Sequence, residues 1–127
     1  MKRVVVVDAD TDFTNGLKQE LSGYDFEIKA ISDPENIFEV IARNDPDLVL
    51  VNYILNDGNG GTISHQIKSD PQTHDIPVIM MSDYSDLRTL WKKFGCNDYV
   101  LKPFNTRDLV EKMNFWLRNV NRFTFSH

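Results

Sequence analysis

Only one cysteine, Cys96, occurs in the 127 residues. No disulfide can close within the chain, which fits a reducing compartment. No apolar run approaches the roughly 20 residues of a membrane-spanning helix. The four valines after Met1-Lys2-Arg3 are too few for a secretory-signal core. A cytoplasmic protein with no membrane partner is therefore expected. Basic side chains are the minority, 14 against 19 acidic, for a net charge of -5; that argues against direct contact with nucleic acid. Internal repeats, low-complexity tracts and linkers are absent. One domain over residues 1–121 is expected, followed by a tail over 122–127.

What is present is a regular alternation. Val4 to Val7, Leu48 to Val51 and Val78 to Met81 are short continuous apolar runs, as expected of parallel strands buried on both faces. Asp25 to Ile31 alternates instead, with Phe26, Ile28 and Ala30 on one side and Glu27 and Lys29 on the other, so it is placed at a sheet edge. Asp98 to Leu101 is the fifth strand. Between them the spacing predicts five helices. Phe13, Leu17 and Leu21 mark the first, and Ile37, Phe38, Val40 and Ile41 the second, which Ser32-Asp33-Pro34-Glu35 starts. The third spans about 62 to 68, with Ile63 and Ile67 inward. Leu87, Leu90, Trp91 and Phe94 form a helix ending at Gly95. Asn105 or Thr106 caps the last, which carries Leu109, Val110, Met113, Leu117 and Val120. Five βα units in succession give an α/β fold, a parallel sheet with helices on both faces.

The stretch from Leu48 to Gly61 is where chemistry is expected, because ligands in such sheets gather at the carboxyl ends of strands. Asn52 ends the third strand. A carboxamide is a poor nucleophile and carries no charge to hold a cation. The other polar strand ends are Asp8/Asp10, Ser82/Asp83 and Lys102, and they should converge. Asp8-x-Asp10-x-Asp12 is not a calcium loop, since Phe13 replaces the required glycine and no glutamate closes it. His65 and His74 have no cysteine partner and read as surface residues.

VVVDAD, PDLVLVN, DGNGG, PVIMMS and GCNDYVLKPF, in this order and spacing, resemble the receiver domain of two-component response regulators over nearly the whole chain. The resemblance implies a flavodoxin-like (βα)5 fold with strand order 2-1-3-4-5. It implies that an aspartate ending the third strand accepts a phosphoryl group from a sensor histidine kinase, with Mg²⁺ held by acidic residues after the first strand. Asp8 and Asp10 match acidic positions and Ile54 the backbone carbonyl of the metal shell. Ser82 and Lys102 match the binders of phosphoryl oxygens, Pro103 the proline that follows, and Tyr99 the switch aromatic. The face of the fourth helix, fifth strand and fifth helix is implied as a docking or homodimer surface, to which Leu87, Trp91 and Tyr99 contribute. Phe115 and Trp116 do not both fit the buried stripe of the last helix; with Phe123 and Phe125 they suggest apolar contact beyond the core.

The departures carry physical weight. Asn52 stands at the phosphoacceptor position and removes the anionic nucleophile. Ala9 removes one of the hard oxygen ligands that Mg²⁺ requires. Asp83 and Asn56 also depart from the pattern. A pseudo-receiver is expected, not an enzyme: a protein-interaction module that binds a signalling protein or effector without aspartyl phosphorylation and without a cofactor. The alternative is a working phosphorelay receiver, with Asn52 an introduced change or the site rescued by Asp57 or Asp10, and Mg²⁺ then bound. An ion pair between Lys102 and Asp83 is expected to fix the site.

Overall fold

The computed structural model describes residues 1–33, 35–55 and 58–124. The expectations placed on Pro34, Asn56, Asp57 and Phe125 fall outside them, as do those on the side chains of Val120 and Phe123. Strands β1 (Lys2–Val7), β2 (Phe26–Ile31), β3 (Leu48–Asn52), β6 (Val78–Ser82) and β7 (Asp98–Leu101) form one sheet in the order β2-β1-β3-β6-β7. Every pairing in it is parallel. This is the 2-1-3-4-5 order, with the alternating strand at one edge. Helices α1 (Thr11–Leu21), α2 (Ile37–Asn44), α3 (Gly60–Ser69), α4 (Leu87–Leu90) and α5 (Thr106–Thr124) cover both faces. Among the described residues no helix is long and apolar enough to cross a membrane.

The pleat explains why the central strands are apolar throughout. Successive side chains point to opposite faces. Val4 and Val6 join Leu48, Leu50, Ile79 and Met81 under Leu17, Leu21, Leu109 and Met113. Val5 and Val7 join Val49, Val51, Val78 and Met80 under Ile41, Ile63, Ile67 and Leu87. A strand with helices on both sides has no wet face, so alternation is lost. It survives in β2, where Glu27 and Lys29 are exposed and Phe26, Ile28 and Ala30 half-buried.

Several local expectations need correction. Asn36, not the Ser32–Glu35 segment, precedes α2; only Ile37 and Ile41 are fully buried in it, and Phe38 is exposed. α3 starts at Gly60, earlier than expected, because the Asn59 side chain accepts the Thr62 N–H at 2.8 Å and caps it. The fourth helix is only one α-turn, continued by a 3-10 turn over Trp91–Phe94 that Gly95 closes at φ 78°. The tighter winding accompanies close packing of Phe94, whose ring lies where a Cβ on Gly61 would come within 2.6 Å. A short hairpin of β4 (Ile54–Leu55) and β5 (Gly58–Asn59) follows β3; nothing in the hydropathy announces it. Asn105 starts α5, its side chain accepting the Arg107 N–H and its carbonyl the Leu109 N–H. Phe115 lies on the surface and Trp116 is half-buried, as the mismatch in the stripe implied.

Candidate functional site

The parallel register brings the polar strand ends together. The Tyr53 N–H reaches the Met81 carbonyl at 2.8 Å, and the Lys102 N–H reaches the Ser82 carbonyl at 2.7 Å. Asp8 leaves β1 with its N–H on the Ile31 carbonyl. Each bond fixes a functional residue or its immediate neighbour, so the sheet aligns Asp8, Asn52, Ser82 and Lys102 at one end.

Asp8 is 2% exposed and its carboxylate is fully engaged. Oδ2 accepts from Lys102 Nζ at 2.6 Å and Oδ1 from the Asp10 N–H at 3.0 Å. The expected Lys102–Asp83 pair is therefore incorrect. Lys102 pairs with Asp8 instead, and Asp83 is exposed. The physical reason is desolvation: a buried carboxylate needs a counter-charge, whereas a solvated one gains little from it. The ammonium also lies 3.7 Å from the centroid of the Phe13 ring, a cation–π contact. Phe13 is braced edge-on by Phe104 at 6.0 Å. Phe13, expected as a member of the α1 stripe, thus also holds the Lys102 ammonium. The Asp10 carboxylate caps α1, accepting the Phe13 N–H at 3.0 Å.

Asn52 is half-buried. Its Nδ2 donates to the Ile54 carbonyl at 2.7 Å, while its Oδ1 is buried with no hydrogen-bond partner among the described residues. Turning the amide over would set two oxygens against each other, so the orientation is chemically determined. Ser82 is buried, and its Oγ accepts the Tyr84 N–H at 2.9 Å. The hydroxyl keeps its proton to donate. Among the described residues no three His, Cys, Asp or Glu side chains assemble as a metal-binding group.

A second cluster surrounds Tyr99, which is half-buried. Trp91 packs on one side at 5.6 Å and Lys112 Nζ lies 5.1 Å from its ring. Lys112 donates to Asp98 Oδ1 at 3.0 Å and to the Tyr99 carbonyl at 2.8 Å, and the Trp116 indole donates to Asp98 Oδ2 at 3.0 Å. Asp98 thus ties α5 to β7, a role its sequence position did not suggest. Cys96 is buried beside this region, and burial pushes its thiol up.

Residues 4–114 match the family described as the response regulator receiver domain. The chain belongs to the response-regulator receiver family. Among curated relatives, the phosphate regulon transcriptional regulatory protein PhoB of Pseudomonas aeruginosa is 28% identical over 119 residues, covering 92% of this chain and 52% of that protein. The DNA-binding dual master transcriptional regulator RpaA of Synechocystis is 25% identical over 126 residues, covering 96% and 52%. This receiver spans about half the length of the curated relatives it matches. A two-component response regulator from Clostridium difficile superposes with a TM-score of 0.84 at 26% identity, over 95% of this chain and 99% of that one. A receiver domain from Methanospirillum hungatei gives 0.86 at 25% identity, over 96% and 98%. The receiver is accordingly a signal-transduction module of regulatory character, not a free-standing enzyme.

Proposed function

We propose that this receiver works as a protein-interaction module whose state does not depend on aspartyl phosphorylation. One observation carries the reading: the Asn52 amide donates to the Ile54 carbonyl at 2.7 Å. In the family pattern Asn52 is the phosphoacceptor position and the Ile54 carbonyl a metal ligand. A carboxamide N–H therefore sits on the oxygen that Mg²⁺ would need. The rest of the described set fits the cation no better. Asp8 is neutralised by Lys102, Asp10 is committed to the cap of α1, and Ala9 offers no side-chain oxygen. Mg²⁺ requires near-octahedral hard oxygen ligands. The Lys102 ammonium gives the buried Asp8 carboxylate a counter-charge without a metal ion, and no cofactor is proposed.

The partner is a signalling protein or effector. The face of α4, β7 and α5, with Trp91, Tyr99 and the exposed Phe115, is proposed as a docking or homodimer surface; Leu87, expected to contribute to it, is fully buried in the core. Contact with nucleic acid or membrane is not proposed for these residues, which lie in an acidic chain. The proposed domain occupies residues 1–121, with 122–127 as a tail into which α5 continues as far as Thr124.

A second reading has support of its own. One matched structure is a two-component response regulator, and Ser82 and Lys102, at the family's positions for binding phosphoryl oxygens, are retained. A phosphorelay receiver would take its phosphoryl group from a histidine kinase, with Asp10 or Asp57 in place of Asn52 or with Asn52 an introduced change. The kinship favours this reading more than the first; the two missing carboxylates favour the first. Thermal unfolding separates them. Millimolar Mg²⁺ is expected to leave the melting temperature unchanged, because a cation that does not bind the folded state cannot stabilise it. A rise of several degrees that Asp10→Asn or Asp57→Asn abolishes would support the phosphorelay reading.

A further inference from the structure

The mouth of the site carries an aromatic ladder that neither the fold nor the phosphoryl pattern requires. Tyr53 follows Asn52 and Tyr84 lies two residues beyond Ser82. Because Asn52 is in register with Met81, the two tyrosines meet. Their ring centroids are 6.3 Å apart with planes within 9°. Phe94 backs Tyr53 at 5.8 Å. Tyr84 is 43% exposed and the adjoining Ile54 is 59% exposed. Both side chains are therefore partly open to solvent beside the candidate site.

The side chains on either side of Tyr84 are acidic, with Arg88 in the next turn of α4. Asp83 and Asp86 flank Tyr84 and are exposed. Asp86 accepts the Tyr84 hydroxyl at 2.8 Å, which orients the ring. The nearest strand-end cation, Lys102, is already committed to Asp8. A ligand for such a surface is cationic and flat. Guanidinium satisfies both conditions, because it stacks on aromatic faces and forks onto carboxylates, whereas an ammonium is a strongly hydrated point charge.

We propose that the Tyr53–Tyr84 platform, with Ile54, Asp83 and Asp86, docks an arginine-bearing basic segment of a protein partner. This adds a second docking surface, separate from the α4–β7–α5 face, to the interaction module proposed above, and it rests on that reading. The segment lays a guanidinium on the Tyr84 ring and pairs with Asp83 and Asp86, while its apolar neighbours cover Ile54.

The test is a titration of the ¹⁵N-labelled chain with an acetylated, amidated Gly-Arg repeat peptide, followed by amide shifts. Shifts confined to Tyr53–Leu55 and Asp83–Leu87 are expected, with affinity falling about threefold when lysine replaces arginine in the peptide. Tyr84→Ala, at an exposed position, should weaken binding by a similar factor or more, and Tyr84→Phe should retain it. Shifts centred on Asp108 and Glu111 of α5, or equal affinity for Tyr84→Ala and the parent, would overturn the proposal. Phosphodonor treatment of the same sample, read by mass, keeps the two inferences apart. An adduct there contradicts the phosphorylation-independent reading, while the fate of the docking surface is read from Tyr84→Ala.

Discussion

Replacing Lys102 with methionine should destabilise the domain by about 3 kcal/mol, measured by urea unfolding at neutral pH. Methionine keeps most of the side chain's volume against Phe13 but removes the charge. Asp8, 2% exposed, then keeps a carboxylate with no cation within reach among the described residues. Breaking a buried pair by deleting one partner is costly because the survivor is stranded, not because the pair was strongly favourable. The reverse change should therefore be milder. In Asp8→Asn the surviving ammonium has a side chain 17% exposed, and it can turn toward water while keeping its contact with Phe13. A loss of about 1 kcal/mol is expected there, near the net value of an ordinary hydrogen bond. Equal losses in the two variants would mean that the pair is screened by solvent. An Asp83→Asn change should leave stability within about 0.5 kcal/mol, as for other exposed substitutions.

Gly60→Ala should cost about 3 kcal/mol or more and disturb Asn52 directly. A Cβ there would stand 2.1 Å from the Asn52 carbonyl oxygen and 2.9 Å from its carbon. These are backbone atoms, so no rotamer change relieves the clash. The approach is close because the Gly60 N–H donates to the Tyr53 carbonyl at 2.7 Å, pinning the start of α3 against the end of β3. The same substitution at Gly16 provides the control. A Cβ there meets nothing within 4 Å, and alanine inside a helix is better than glycine by about 0.5–1 kcal/mol. Opposite signs for the two Gly→Ala variants are expected in one denaturation series. A neutral Gly60→Ala would mean that the hairpin and the α3 start move apart readily, and that Asn52 is not rigidly held.

The layers of the fold were legible because burial on two faces leaves a plain mark. Val4–Val7, Leu48–Val51 and Val78–Met81 are unbroken apolar runs, and Glu27 and Lys29 alone announce an edge. The polar strand ends were legible for the same reason, since a charged residue closing a buried run must sit at the sheet's rim. The helix near residues 87–94 was not. Its apolar spacing is that of a continuous α-helix, yet the second half winds as a 3-10 turn, and periodicity cannot tell the two apart over so few residues. The partner of Lys102 was also illegible. β3 and β6 stand between β1 and β7, so adjacency along the sheet pointed to Asp83. The deciding quantity was burial, and the depth of Asp8 is set by residues far away in sequence. The Tyr53–Tyr84 stack had a usable signal: two aromatics just past the ends of neighbouring strands.

The identity of Asn52 matters only through what it does to phosphoryl transfer. The most direct measurement is intact-protein mass after incubation with a small phosphodonor, with and without Mg²⁺. No phosphoryl adduct under either condition is the result expected of a site in which the Asn52 amide occupies the Ile54 carbonyl and Lys102 neutralises Asp8. A Mg²⁺-dependent adduct of one phosphoryl group would contradict it, and loss of that adduct in Asp57→Asn or Asp10→Asn would identify the acid that took over.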